Sequence, residues 1–142
     1  MLDLIRSVGF MREEVRRLWL QALEDLRTSE VLSEAGRYYA SVFFAEQAAE
    51  KALKALYIRL KRELPPRTHN LLELLRALGI DREDLIDAAM DLTPEYIVTL
   101  YPDAANGVPA HLYNDRMARE HLKKAKHLID YCRALIEAEN DG

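Results

Sequence analysis

Residues 38–60, YYASVFFAEQAAEKALKALYIRL, decide how the chain folds. At a repeat of 3.6 residues, Tyr38, Val42, Ala45, Ala49, Ala52, Leu56 and Leu60 form one apolar stripe, and Tyr39, Phe43, Leu53 and Tyr57 widen it. A surface helix needs only one apolar side. This segment has a broader one, so it is expected to be the central helix of a bundle with several neighbours. Its alanines at 45, 48, 49, 52 and 55 let those neighbours approach closely. Glu46, Gln47, Glu50, Lys51 and Lys54 are left as a narrow polar edge, with Glu50 and Lys54 in the favourable orientation for a helical ion pair.

The rest of the composition suits that helix. With 142 residues, 49% hydrophobic and 31% charged, the chain can bury one core and is too short for two domains. The expectation is a single all-α domain over residues 1–142, in which residues 1–9 are a candidate for a separate N-terminal extension. A net charge of -4 argues against coating nucleic acid by bulk electrostatics. The single cysteine, Cys132, cannot form an internal disulfide and lies in an apolar helical row, which suits an inert thiol in a reducing cytoplasm. No segment reads as a secretion signal, and no run approaches the roughly 20 apolar residues of a membrane span.

Turn chemistry divides the chain into helices. One is expected over about 10–32, with Val15, Leu18, Trp19, Ala22, Leu23 and Leu26 on its apolar face and Gly36 as its stop. Pro65 and Pro66 must end the central helix by Leu64. A third helix over about 69–78 takes Thr68 as N-cap and Gly79 as terminator, and a fourth follows Asp81 to about Leu92. Thr93-Pro94 restarts a short helix to about Thr99. Tyr101–Val108 reads as a mobile loop, and Asn114 or Asp115 caps a last helix to about Glu139. That helix carries the apolar row Ala118, Leu122, Ala125, Ile129, Cys132 and Ile136. Between Lys51 and Arg67 stand six basic residues, Lys51, Lys54, Arg59, Lys61, Arg62 and Arg67, against Glu63 alone: a local charge of 6 − 1 = +5.

The order of three motifs carries a family resemblance. Trp19 to Leu26 has the form W-x-x-A-x-x-D-L, Ala40 to Leu56 contains Q-A-A-E-K-A-L-K-A-L, and Thr68 to Leu71 has the form T-H-x-L. In this order they resemble the HEPN domain, named for higher eukaryotes and prokaryotes nucleotide-binding, over roughly Leu18 to Ala138. The resemblance implies an up-and-down bundle of four to five helices, commonly a homodimer, and two functional branches. One branch cuts RNA without a metal, as in toxin–antitoxin and defence systems, through an arginine and a histidine at the start of the last helix, shared across the dimer. The other lacks that pair and binds nucleotides or RNA, or partners a small nucleotidyltransferase. Family members often carry Arg-Tyr-Pro-Asp before the last helix, where this chain has Leu100-Tyr101-Pro102-Asp103.

The binding branch is the reading favoured here, with no cofactor or metal. Its candidate ligand-binding residues are Gln47, Lys51, Lys54, Arg67, His69, Tyr101 and Asp103. Of these, Lys51, Lys54, Arg67 and His69 would line an anionic pocket, with Thr68 and the start of the third helix adding backbone donors. The alternative is a ribonuclease using Arg116 and His121, which are separated by four residues where the motif should fall. Histidine can exchange the proton and arginine can neutralise the phosphoryl charge. Met117 stands where the catalytic form has a small polar residue, and an i, i+5 pair points about 140° apart on a helix. Arg62 and His69 also satisfy the spacing, but in a loop. His111 and His127 read as surface residues.

Overall fold

The computed structural model describes residues 2–138, with side chains from residue 11 onward. Among these residues the chain is helical and contains no strand. The long elements are α1 (Leu2–Glu34), α2 (Tyr38–Lys61), α4 (Glu83–Leu92) and α7 (Asp115–Ile136). Between them lie the short helices α3 (Leu71–Ala77), α5 (Glu95–Val98) and α6 (Pro102–Ala105), and a 3-10 turn at Pro109–His111. Cross-helix pairs give the directions. Trp19 meets Glu137 and Glu30 meets Lys126, so α7 runs antiparallel to α1; Asp84 meets His127 and Asp91 meets Lys124, so α4 runs antiparallel to α7. The expected up-and-down bundle is therefore present.

Helix α2 is its centre, packed on α1, α3, α5 and α7. Ala45, Ala48, Ala49, Ala52 and Ala55 are fully buried, together with Val42, Leu53 and Leu56. The close approach of α1 is fastened by a reciprocal serine pair: Ser29 Oγ donates to Ser41 O at 2.7 Å and Ser41 Oγ to Ser29 O at 2.8 Å, both side chains being fully buried. A larger residue at either position would push the helices apart.

Several local expectations are corrected. Helix α1 begins at Leu2, not near residue 10, and runs unbroken through Gly9; a single glycine costs a helix only about 1 kcal/mol relative to alanine. Asn70, not Thr68, caps α3 by accepting from the Leu72 N–H, while Thr68 Oγ1 accepts from the Asn70 N–H and shapes the turn before the cap. The residue before α4 is Arg82, which makes no side-chain cap. Pro102 starts a helical turn inside the segment read as a loop, and Asn106 ends it at φ 54. Leu60, placed on the apolar stripe, is 49% exposed. Thr93 ends α4 and its hydroxyl donates to the Ala89 carbonyl, so it does not cap α5, whose cap position is taken by Pro94. Gly36 and Gly79 take left-handed φ values of 79 and 71, and Asn114 caps α7 through the Met117 N–H. Glu139, the expected end of the last helix, lies outside the described residues. Arg62 closes α2 in the left-handed region at φ 56, where a residue with a Cβ is strained.

A candidate anion site on the polar edge of α2

The polar edge of α2 does not face solvent along its length. Glu46 is fully buried and Glu50 is 5% exposed. They belong to a line of hydrogen bonds running from α1 to the loop between α2 and α3. Gln21 and Lys51 both donate to Asp25, the lysine at 2.7 Å. Lys51 also reaches Gln47 Oε1, and Gln47 Nε2 donates to Glu46 Oε2 at 2.8 Å. One turn further on, Glu50 accepts from Lys54 Nζ at 3.2 Å and lies 3.0 Å from His69 Nδ1.

Glu46 is the outlier in that line. Its Oε1 is buried without a hydrogen-bond partner among the described residues. Burial, reinforced by the nearby charge of Glu50, raises its pKa to about 9 against the weaker pull of Gln47 and Lys51. Glu46 is therefore a neutral acid at physiological pH, and the Glu50 carboxyl faces Lys54 and His69.

His69 has the geometry of an oriented imidazole. Its ring stacks on Tyr96 of α5, with centroids 3.8 Å apart and planes 15° from parallel. A carboxylate can only accept, so Nδ1 carries the hydrogen that Glu50 receives. Nε2 has no hydrogen-bond partner among the described residues, and the side chain is 52% exposed. Lys61 at the end of α2, and Arg62 and Arg67 on the loop that follows, are exposed with no ion-pair partner among the described residues.

The pair Arg116 and His121 is arranged differently. Arg116 lies exposed along α7 and pairs with Glu120 at 3.0 Å. His121 turns inward, its Nδ1 2.8 Å from the Met117 carbonyl and its Nε2 3.4 Å from Glu95 Oε1. Both neighbours are acceptors, so the ring is fully satisfied only as imidazolium. Burial alone would lower its pKa, but the bonds to Glu95 and the Met117 carbonyl outweigh that and raise it. The Tyr113 hydroxyl also donates to Glu95. Neither nitrogen of His121 is left open.

Of the residues expected to bind a ligand, Gln47, Lys51, Lys54 and His69 share the α2 line, and Arg67 stands exposed beside it in sequence. Lys51 and Lys54 are each held by a carboxylate. Tyr101 and Asp103 are exposed around α6, and no hydrogen bond, ion pair or ring contact joins them to the line among the described residues. His127 pairs with Asp84 on the surface at 2.6 Å, and His111 is exposed. The sequence reading did not find Asp25, Tyr96, Glu95 or Tyr113. Their partners lie 18 to 27 residues away along the chain, and no helical repeat reveals such pairings. Among the described residues, no group of three or more His, Cys, Asp or Glu could hold a metal, and no helix is long and apolar enough to cross a membrane.

The comparisons accord with this architecture. The family model described as HEPN domain matches residues 15–137. The crystal structure of TT1696 from Thermus thermophilus is 36% identical, covers 84% of this chain and 95% of its own, and superposes with a TM-score of 0.76. The crystal structure of ST0689, described as an archaeal HEPN homologue, is 27% identical, covers 86% and 97%, and superposes with a TM-score of 0.73. No curated protein matches. With almost the whole bundle inside the match, from Val15 of α1 to Glu137 just past α7, the chain belongs to the HEPN domain family.

Proposed function

We propose that this protein is a non-catalytic HEPN module that binds a nucleotide or RNA phosphate at the loop joining α2 and α3. We include in this reading a homodimer and a small nucleotidyltransferase as partner. The observation that carries it is the contrast between two histidines. His69 has an open Nε2 and lies two residues along the chain from Arg67, which is exposed and unpaired among the described residues, whereas His121 has both nitrogens committed to acceptors within the fold. A general base needs a free nitrogen within reach of the proton that it takes. An anion needs a donor and local positive charge.

The ribonuclease reading rests on the position of Arg116 and His121 at the start of α7, and one experiment separates the two. Purified protein is incubated with end-labelled single-stranded RNA beside a His121→Ala variant, in the presence of a chelator. The binding reading expects intact RNA and retarded mobility with both proteins. Cleavage by the wild type that disappears in His121→Ala would overturn it.

A further inference from the structure

Glu50 has a second role if the anion site lies at His69. Its carboxylate is nearly buried, neutralises Lys54, and holds the Nδ1 hydrogen of a ring whose opposite nitrogen faces solvent. A carboxylate behind an imidazole fixes the ring's orientation and balances the charge of the imidazolium. We propose that Glu50, His69 and Tyr96 form a proton-coupled phosphate site, in which His69 Nε2 takes up a proton from solvent as it closes on a phosphate oxygen. This rests on the anion-binding reading above, and it names Glu50 as a positioning residue.

The groups around the site support that coupling. From α2, Lys54 cancels the Glu50 charge, and neutral Glu46 adds none; Lys51 is committed to Asp25 of α1. From α5, Tyr96 supplies the stacking face, while the neighbouring Glu95 is turned to Tyr113 and His121. From the loop, Arg67 adds exposed positive charge. With Glu50 offset by Lys54, a proton on His69 would thus add to the exposed positive charge of Arg67 and strengthen the pull on an approaching anion. Without a bound anion that proton has no partner at Nε2, so binding and protonation reinforce each other.

The test is calorimetric titration of the full chain with adenosine 5′-monophosphate, repeated in buffers of different ionisation enthalpy, with adenosine and the diester ApA as further arms. The proposal expects net proton uptake when the nucleotide monophosphate binds, and no comparable binding of adenosine. Binding of ApA with the same uptake would assign the site to internal as well as terminal phosphates. Glu50→Gln keeps a carbonyl for Nδ1 but removes the counter-charge, so it should weaken binding about tenfold and abolish the uptake. Simple electrostatics predicts the reverse, since the substitution makes the surface more positive; tighter or unchanged binding would overturn the proposal. His69→Phe keeps the stack on Tyr96 and removes both nitrogens, and should abolish uptake even if Glu50→Gln proves unstable. Binding of the monophosphate without uptake, or equal binding of adenosine, sinks the proton coupling and leaves nucleotide binding standing. No binding in any arm sinks both.

Discussion

At neutral pH the buried carboxyl of Glu46 keeps a proton that the unfolded chain would release, and this sets a pH dependence of definite sign. Its folded pKa is raised from 4.5 to about 9, so the unfolded state binds fewer protons between those values and stability falls as pH rises through the window. The cost at pH 7 is on the order of 3 kcal/mol. Glu46→Gln reproduces the neutral acid's shape, and denaturant titrations should show a gain of up to about 3 kcal/mol at pH 7, vanishing near pH 4.5. A gain independent of pH, or a loss, would refute the assignment of a neutral Glu46. His121 behaves in the opposite sense. Its folded pKa is raised, so the stability it contributes is fully present below an imidazole's ordinary 6.5 and is lost as pH rises through the folded value. His121→Ala leaves Glu95 and the Met117 carbonyl without their donor and should cost about 1–3 kcal/mol at pH 6, less at pH 9. Equal cost at both pH values would mean that the ring is held neutral. Neither carboxyl environment was legible in the sequence. Glu46 and Glu50 sit on the polar edge of an amphipathic pattern, and only the approach of α1 and the 66–70 loop shows that the edge is covered.

Helix α2 is the element where sequence and structure agree most closely. The alanine rows predicted close packing on several sides, and those alanines are fully buried. Substitutions along the helix should therefore separate sharply by face. Ala52→Leu inserts three carbons where there is no space and should cost about 1–3 kcal/mol or more. Leu60→Ala, at the exposed end, should stay within about 0.5 kcal/mol. Thermal unfolding of the two variants checks this, and similar losses for both would mean that α2 is not packed as described. Helix ends were less legible than helix faces. Thr68, Asn70, Asp81 and Arg82 all lie near plausible starts, and the distinction depends on which side chain meets a free N–H once the chain turns.

The bundle as a whole could be read from the sequence because its α1, α2 and α7 patterns are long and its breaks at Gly36, Pro65-Pro66, Gly79 and Asn114 are strong. The site could be read only in part. Lys54, Arg67 and His69 were proposed from local charge and the Thr-His motif, whereas Tyr96, which stacks on His69, arrives from a helix of four residues. Tyr101 and Asp103 were proposed from a segment that the fold leaves unconnected to the α2 line. The central claim, that the exposed cations of the loop joining α2 and α3 hold an anion without cutting it, is tested most directly by one titration. Fluorescent single-stranded RNA is titrated with wild type and with Lys61→Glu/Arg67→Glu, followed by anisotropy, and the RNA is examined for length afterwards. The account predicts salt-dependent binding by the wild type, a loss of at least about tenfold in the variant, and full-length RNA throughout. Equal affinity for the two proteins, or shortened RNA with the wild type, would contradict it.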